Sequence, residues 1–316
     1  MTRSKPKFLI AYWEHLLSID VIILEELIEP FRLLLKYRNE PFEDEVYNFS
    51  YLYDNNNNIK MTQSKAMICH LGLIFDMMGS NINDKGVGAD GIGFETARQL
   101  GKQRIIVLIA ARDKVRGEEA VKKLKQEKIN AKFIHLDVTN QELIKKAAEQ
   151  IQQEYGKLDI LINNAAVHIE GEPPSKTTME KLRQTFETNF FGVFAVTQAF
   201  IPLLQKSTVG GRIVNVSSQL ASFGNNLADR NKLAYSTSKT ALNMMTYQFA
   251  KEFANNRSTI KINSVDPGST QTDMTGNNAK FGPVQVAADP IVYFATLPSD
   301  GPSGQFFDPK KQPHPW

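Results

Sequence analysis

A tyrosine and a lysine four residues apart form the strongest chemical signal in this sequence. Tyr235 and Lys239 begin and end the run YSTSK, and this spacing puts both side chains on one face of a helix. A phenol with a reference pKa of about 10 is a poor acid near neutral pH, but a nearby ammonium group favours its ionised form and lowers its pKa. The pair therefore indicates proton donation to a carbonyl oxygen, with Tyr235 as the donor and Lys239 tuning its pKa.

Ser218 strengthens this interpretation because it ends the run RIVNVSS that precedes the pair. Its hydroxyl group can donate a second hydrogen bond to the same carbonyl oxygen, whereas the neighbouring Ser217 is interpreted as structural. A Tyr-x-x-x-Lys spacing alone is common by chance and is usually a surface pair. Its position after a strand that ends in two serines favours the catalytic interpretation.

The elements that would position these residues alternate regularly from about residue 86 onward. Short β-branched runs predict strands, and the amphipathic stretches between them predict helices. This alternation predicts an α/β fold with a Rossmann-like, doubly wound parallel sheet, and ligands at the carboxyl ends of its strands. The predicted strands are residues 104–110, 132–138, 159–165, 212–218 and 260–268.

The running order of NVSS, YSTSK and NSVDPGSTQTDM resembles the short-chain dehydrogenase/reductase family, and within it the carbonyl reductases. The resemblance implies hydride transfer between NADPH and a carbonyl or alcohol. It implies that Tyr235 is the catalytic acid/base and that Ser218 orients the substrate. It also implies that Tyr235 and Lys239 contact the cofactor, with Lys239 at the nicotinamide ribose. Asn189 in ETNFFG would hold a water in a proton relay; the alternative is a solvated or capping helix asparagine.

The same resemblance implies a set of contacts with a dinucleotide. Asn163 and Ala165 would lie along the cofactor ribose, and Asp137 and Val138 would meet the adenine ring. The carboxamide end of the nicotinamide would contact residues that follow the last predicted strand, which are Pro267, Gly268, Thr270 and Thr272.

Two arginines favour NADP(H) over NAD(H). NAD sites place an acidic residue at the end of the second strand to bind the ribose 2′-hydroxyl, whereas NADP sites place an arginine nearby. Here Ala111 stands at the position of the acid, Arg112 follows it, and Arg116 lies one helical turn later. Two guanidinium groups suit a 2′-phosphate. The alternative is a surface ion pair between Arg112 and Asp113.

The phosphate-binding loop departs from the family pattern. The residues that can bring backbone amides and a helix N-terminus to a pyrophosphate are Gly88, Gly91, Ile92 and Gly93. The first gap between the glycines is one residue short, and Asp90 adds an opposing charge. The preceding run GSNINDK predicts turns where a central first strand is expected. Two alternatives are open: residues 71–75, LGLIF, substitute as that strand, or the sheet lacks a member.

Residues 1–85 lack the regular alternation of strands and helices seen from about residue 86. They resemble part of the thioredoxin-like amino-terminal domain of a mu- or sigma-class glutathione S-transferase. Tyr12 matches the thiol-activating tyrosine of that family, and Gln63 and Ser64 match its glutathione-binding pair. The helical carboxyl-terminal domain of that family is absent. The sequence thus predicts a partial thioredoxin-like segment, 1–85, followed by a Rossmann-fold reductase domain, 86–316.

Composition limits the remaining classes of function. The chain of 316 residues is 42% hydrophobic and 22% charged, with a net charge of +3 and a single cysteine, Cys69. No basic block and no long apolar stretch stands out, so we expect neither nucleic-acid binding nor a membrane span, and a cytoplasmic location. We predict no metal site, and both a monomer and a homo-oligomer are compatible with the sequence.

The leading hypothesis is therefore an NADPH-dependent oxidoreductase that reduces a small-molecule carbonyl to an alcohol, with residues 273–285 over the substrate. One alternative is a catalytically inactive fusion scaffold that binds nucleotide poorly because the first strand is missing. Another is residual glutathione binding or transferase activity of the amino-terminal segment. The feature that discriminates the first two hypotheses is whether residues 71–75 complete the sheet.

Overall fold

The chain divides into two compact units, Met1–Ile68 and Cys69–Trp316. The computed structural model describes residues 52–53, 59–60, 71–75, 91–224, 231–276 and 278–316. In the first unit, the described residues are a short antiparallel pair of strands, Leu52–Tyr53 and Ile59–Lys60. The glutathione-site residues predicted there, which are Tyr12, Gln63 and Ser64, lie outside the described residues.

The second unit is built on a seven-stranded parallel sheet. In chain order its strands are β1 Leu71–Phe75, β2 Ile106–Ala111, β3 Ala131–His135, β4 Ile160–Asn163, β5 Arg212–Val216, β6 Lys261–Val265 and β7 Phe306–Phe307. Their order across the sheet is β3-β2-β1-β4-β5-β6-β7, and every neighbouring pair is parallel. The strand order reverses between β1 and β4, which is where an α/β sheet opens a crevice for a ligand. The predicted Rossmann-like architecture is confirmed.

Strand β1 fills the central position that the sequence left open. Leu71 to Phe75 pair with β2, and Gly72 to Ile74 pair with β4 on the other side. Of the two alternatives, substitution by residues 71–75 is therefore confirmed, and a sheet that lacks a member is wrong. The boundary predicted near residue 85 stays a prediction, but β1 belongs to the second unit. Residues 76–90, including Gly88, lie outside the described residues.

Helices cover both faces of this sheet. They are α1 Ile92–Lys102, α2 Lys114–Gln126, α3 Gln141–Tyr155, α4 Met179–Phe186, α5 Val193–Leu204, α6 Leu233–Asn255 and α7 Val284–Ala295. A π-helical turn, Glu187–Gly192, joins α4 to α5. Three helices begin where a side chain accepts a hydrogen bond from a backbone amide three residues later, which satisfies a donor that the helix itself cannot. These capping residues are Asp113, Asn140 and Thr178.

Two apolar clusters hold the helices against the sheet. Consecutive residues of β2 alternate between them, because Leu108 packs in one cluster and Ile109 in the other. The first cluster includes Phe200 of α5, and the second includes Phe94 of α1 and Ile291 of α7. Burial on both faces is typical of parallel sheets, and it fixes the strand ends that carry the site. Within the described part of the chain, no helix combines the length and apolar character that crossing a bilayer requires.

Candidate active site

A cavity of about 450 Å³ opens at the carboxyl ends of the central strands. Its walls come from the start of α1, the loops after β4, β5 and β6, and the start of α6. Its volume lies within the range of roughly 300–1,000 Å³ that is typical of small-molecule sites. The residues predicted from the sequence that line it are Gly91, Ile92, Ser218, Tyr235, Lys239, Pro267, Gly268, Thr270 and Thr272.

The structure brings three of the four predicted catalytic side chains together. Tyr235 and Lys239 lie in the first two turns of α6, and Ser218 follows β5. The side chains of Tyr235 and Ser218 are hydrogen-bonded, and Nζ of Lys239 lies 5.8 Å from the centroid of the Tyr235 ring. Lys239 is only 1% exposed and donates a hydrogen bond to the carbonyl oxygen of Val216 at 2.7 Å. A phenol at the cavity wall thus has a buried cation behind it.

The pKa values of these groups reverse one expectation. Burial raises the pKa of Tyr235 to about 12, although the hydrogen bond with Ser218 acts in the opposite direction. Burial lowers the pKa of Lys239 to about 7. The predicted lowering of the Tyr235 pKa by Lys239 does not hold in this structure, because desolvation is the dominant influence on both groups. At neutral pH Tyr235 is a protonated phenol, which suits a proton donor.

Asn189 holds the loop after β4 in place. Its side chain is fully buried, with Oδ1 accepting from the backbone N–H of Val167 at 2.7 Å and Nδ2 donating to the Val167 carbonyl at 2.9 Å. Nδ2 also donates to Oγ of Ser238 at 3.1 Å. Close packing of the π turn requires glycine at position 192, since a Cβ there would lie 2.7 Å from the carbonyl oxygen of Val138. The side chain of Asn189 is engaged within the protein, and its role in holding a water stays a prediction.

Sequence reasoning missed two residues of the loop after β4. His168 lines the cavity, and its ring stands edge-on to the Tyr235 ring with 5.4 Å between centroids. The carboxylate of Glu170 accepts hydrogen bonds from the backbone N–H groups of Ala234 at 2.8 Å and Tyr235 at 2.6 Å. Glu170 therefore caps the helix that carries Tyr235. The one signal available was position, since polar residues just after a strand lie where α/β sheets bind ligands.

In the run Asn163 to Ala166, the residues that line the cavity are not the two that were predicted to contact a cofactor. Asn164 and Ala166 line it. Asn163 is 3% exposed, and its Nδ2 donates to Oδ1 of Asn215 at 2.8 Å, within the polar core. Ala165 is buried in an apolar cluster. Contact of Asn163 and Ala165 with a ribose stays a prediction.

The residues predicted to bind the adenosine half of a cofactor lie at the ends of β2 and β3. Arg112 follows β2 and is exposed. Nε of Arg116 lies 3.8 Å from Oδ2 of Asp113, so the ion pair found at this position involves Arg116. Oδ1 of Asp137 accepts from both the backbone N–H and the hydroxyl group of Thr139, at 2.9 and 2.8 Å. Val138, beside it, is buried.

The start of α1 tests whether a phosphate-bearing cofactor fits this site. Gly91 is the N-cap residue, with φ −82° and ψ 173°, and no side chain caps the helix there. Gly91 and Ile92 line the cavity, and Gly93 is buried. The negative charge of Glu95 in the first turn is offset by Arg98 at 2.6 Å. Backbone amides at an uncapped helix start bind anions, so the described half of the phosphate site fits a dinucleotide.

The loop after β6 forms the opposite wall of the cavity. Gly268 has a φ of 78°, a conformation that favours glycine, and its N–H donates to Oδ1 of Asp266 at 3.0 Å. Oγ1 of Thr275 donates to the carbonyl oxygen of Thr270 at 2.8 Å, so the loop folds back on itself. The predicted substrate segment, 273–285, also contributes to the wall through Met274, Thr275, Asn278 and Phe281. Among the described residues, no cluster of His, Cys, Asp or Glu could hold a metal ion.

Known proteins share this arrangement of sequence and fold. A family model described as short chain dehydrogenase matches residues 87–281. The chain is 32% identical over 270 residues to carbonyl reductase (NADPH) 1 from Mus musculus, covering 72% of this chain and 95% of that protein. It is 30% identical over 297 residues to (+)-neomenthol dehydrogenase from Capsicum annuum, covering 70% and 93%. The solved structure of salutaridine reductase from Papaver somniferum superposes with a TM-score of 0.62 at 29% identity, covering 75% of this chain and 99% of that one.

Proposed function

The chain belongs to the short-chain dehydrogenase family, and from this premise we propose that it is an NADPH-dependent reductase that converts a carbonyl group of a small molecule to an alcohol. One observation carries the proposal. The protonated phenol of Tyr235 is hydrogen-bonded to Ser218, backed by the buried Lys239, and faces a cavity beside the start of α1. This arrangement supports proton donation to an oxygen next to a bound dinucleotide.

Tyr235 is the proposed proton donor. A bound nicotinamide cofactor supplies the hydride that the carbonyl carbon receives. Because the pKa of Tyr235 is raised to about 12, its phenol stays protonated at neutral pH and can donate its proton to the carbonyl oxygen. Ser218 lines the same cavity, so its hydroxyl group can donate to that oxygen as charge develops on it.

Lys239 stabilises the phenolate that proton donation leaves behind. Its pKa near 7 makes it partly charged at neutral pH, and an ammonium group at this distance favours an ionised phenol. The π turn around Asn189 interrupts the regular hydrogen-bonding pattern of the helix, which can free a backbone carbonyl to hold a water. We propose that this water links Lys239 to solvent.

The cofactor we propose is NADP(H). Arg112 and Arg116 at the end of β2 would bind the 2′-phosphate, and the amides of Gly91, Ile92 and Gly93 would bind the pyrophosphate. The exposed position of Arg112 and the absence of an acid at Ala111 support this choice. The other contacts implied by the family resemblance would come from Gly88, Asp137, Val138, Asn163, Ala165, Pro267, Gly268, Thr270, Thr272 and Lys239.

For residues 1–85 we keep the resemblance to a glutathione S-transferase segment as a hypothesis about descent. Retention of the full chain on immobilised glutathione, lost on Tyr12→Phe, would support it. No retention would remove the transferase alternative and leave the reductase proposal unchanged.

Titration of the full-length chain with NADPH, followed by fluorescence and compared with NADH, tests the proposal first. We expect tighter binding of NADPH, and oxidation of NADPH in the presence of a carbonyl substrate. A folded chain that binds neither cofactor would overturn the proposal and favour the inactive scaffold, even though β1 completes the sheet.

A further inference from the structure

One buried acid in the cavity wall has no role in the proton transfer proposed above. Asp266 directly follows β6, lines the cavity and is only 4% exposed. An acidic side chain is costly to bury unless hydrogen-bond donors satisfy its oxygens. The donors that surround the Asp266 carboxylate therefore indicate what keeps it there.

Two backbone amides from different loops donate to this carboxylate. Its Oδ1 accepts from the N–H of Gly268 at 3.0 Å, in the loop after β6. The carboxylate also accepts from the N–H of Gln219, in the loop after β5. This second amide is the one that joins Ser218 to Gln219. The side chain of Asp266 therefore links the two loops directly, through hydrogen bonds of the strong, charge-assisted kind.

The link lies just beyond the point where β5 and β6 stop pairing. The N–H of Ser217 donates to the carbonyl oxygen of Val265 at 2.8 Å, which continues the pairing of the two strands. One residue further along the second chain segment, Asp266 makes its link between the loops. Nε2 of Gln219 also donates to Oγ of Ser269, at 3.4 Å. Past the end of the sheet, side chains thus continue the contact between the two loops.

The two linked loops carry different partners of the proposed reaction. Ser218 would donate to the substrate carbonyl, and Gly268 belongs to the segment proposed to hold the nicotinamide. Hydride transfer requires the reacting atoms to approach to roughly 3–3.5 Å, and a misplacement of about 1 Å can slow a reaction about a hundredfold. The separation of these loops is therefore expected to affect the rate.

We propose that Asp266 is a positioning residue that holds the loops after β5 and β6 together and so fixes the distance between the bound nicotinamide and the substrate carbonyl. This inference rests on the proposed function. In the reduction, the hydride moves from the nicotinamide to the carbonyl carbon and the proton moves from Tyr235 to the oxygen, while Asp266 stays unchanged. Its substitution should affect hydride transfer more than cofactor affinity.

Hydrogen exchange of the full-length chain tests the link itself. In Asp266→Ala the amides of Gln219 and Gly268 lose their acceptor, and we expect both to exchange about tenfold faster than in the wild type. Asp308→Ala is the matched control, because Oδ1 of Asp308 also accepts from two backbone amides, but both belong to its own loop. This control should leave the exchange of Gln219 and Gly268 unchanged. Equal exchange of these amides in Asp266→Ala and the wild type would overturn the inference.

Turnover at pH 7 tests the consequence for the reaction. We expect Asp266→Ala to lower kcat about a hundredfold, with the Kd of NADPH within a few-fold of the wild type. The deuterium isotope effect on kcat, measured with NADPH deuterated at both C4 positions, should be large because hydride transfer limits turnover. Asp266→Asn, which keeps one acceptor oxygen, should recover much of the loss. The pKa of Tyr235, about 12, keeps the phenol protonated at this pH, so the supply of protons does not limit either variant.

The same variants distinguish this inference from the proposed function. An unchanged kcat in Asp266→Ala, a lower kcat without an isotope effect, or an equal loss in Asp308→Ala would overturn the inference. If Asp266→Ala does not fold, Asp266→Asn is measured in its place, with an expected loss of about tenfold. If the wild type binds NADPH but reduces no carbonyl, the fluorescence lifetime of bound NADPH decides. A shorter lifetime in the Asp266 variant than in the wild type and Asp308→Ala would show a less immobilised nicotinamide and support the inference while the proposed function fails. Equal lifetimes, or no NADPH binding to the wild type, would overturn the inference.

Discussion

The Tyr235 end and the adenosine end of the candidate site differ in how firmly the protein holds their side chains. At the Tyr235 end, Lys239, Asn189 and Glu170 are all buried, and each is bonded to backbone groups. At the adenosine end, Arg112 is exposed, and Arg116 reaches Asp113 only at 3.8 Å. The side chains around Tyr235, which we propose to be the reacting group, are thus fixed within the protein, whereas Arg112, which we propose to bind a 2′-phosphate, is exposed.

This difference matches the physical demands on each end. Proton donation requires donor and acceptor within hydrogen-bond reach, and fixed dipoles in a buried site cost no reorganisation during the reaction. Phosphate recognition by arginine tolerates mobile side chains, because charge-assisted hydrogen bonds are strong enough to order them. Substitutions at the first end should therefore change turnover, and substitutions at the second end should change cofactor affinity.

The largest expected effect is that of Tyr235→Phe. Loss of the proton donor should lower kcat/KM for carbonyl reduction about a thousandfold, within the usual range for general acid catalysis. NADPH affinity should fall at most a few-fold, because phenylalanine keeps the ring that packs against His168 and removes only the hydroxyl group. Tyr247→Phe, a change at an exposed tyrosine of the same helix, is the control. Retention of a tenth or more of the activity by Tyr235→Phe would show that another group donates the proton.

Lys239→Met should reduce turnover about a hundredfold and yet stabilise the fold. The folded pKa of Lys239, about 7, lies below its ordinary value of 10.5. Between these pH values the unfolded chain holds a proton that the folded chain has released, so the free energy of unfolding of the wild type rises with pH across this window. The side chain of methionine has no proton to release on folding, so this loss of stability at lower pH is absent in Lys239→Met.

Thermal unfolding of both chains as a function of pH measures this effect. The Tm of Lys239→Met should exceed that of the wild type by a few degrees at pH 6, and the difference should shrink as pH approaches 10. In the wild type, the rate of reduction should fall above pH 7 as Lys239 loses its charge. A constant Tm difference across this range would mean that Lys239 is not a buried cation with a lowered pKa.

Substitution of both Arg112 and Arg116 should affect the adenosine end of the site. In the double variant Arg112→Ala, Arg116→Ala, we expect NADPH to bind about tenfold more weakly, since each exposed charge-assisted contact contributes modestly. NADH binding and kcat at saturating NADPH should stay close to the wild type. Lys114→Ala, an exposed change at the start of the same helix, controls for general charge. A fall in kcat with unchanged NADPH affinity would contradict the division between the two ends.

The smallest expected effect is that of Glu170→Gln. The amide keeps one acceptor for two backbone donors and removes a negative charge from the start of α6, which should destabilise the fold by about 1 kcal/mol, as the loss of a helix cap does. The kcat of carbonyl reduction should fall a few-fold with little change in KM, because Tyr235 is held less firmly. Glu142→Gln removes an exposed acid from the first turn of α3 and should change neither quantity. Equal effects of both substitutions would argue for a general charge effect.

The sheet and the Tyr235 end could be predicted because local signals carry them. Alternation of strands and helices identified the parallel architecture, and the four-residue spacing of Tyr235 and Lys239 placed both on one helix face. β1 was ambiguous, because a short apolar run of five residues before a polar stretch is compatible with several structures. Its identity as a strand follows from pairing on both sides with β2 and β4, which is information from distant parts of the chain.

The positions of His168 and Glu170 in the site could not be predicted from the sequence for a related reason. Glu170 bonds to backbone groups 64 and 65 residues further along the chain. The direction of the Tyr235 pKa shift also escaped prediction, because it depends on how deeply the phenol and the ammonium group are buried. Residue spacing indicates which groups meet, whereas desolvation is a property of the assembled fold.

The placement of β1 has a consequence for any shortened form of this chain. A chain that began at residue 86 would retain the whole region that matches the family and still lose the strand between β2 and β4. Both of these strands would then expose a row of unpaired N–H and C=O groups along an open edge. Open edges recruit strands from other molecules, so we expect such a chain to aggregate. The solubility of the reductase region therefore depends on a short stretch that the family match, which begins at residue 87, does not include.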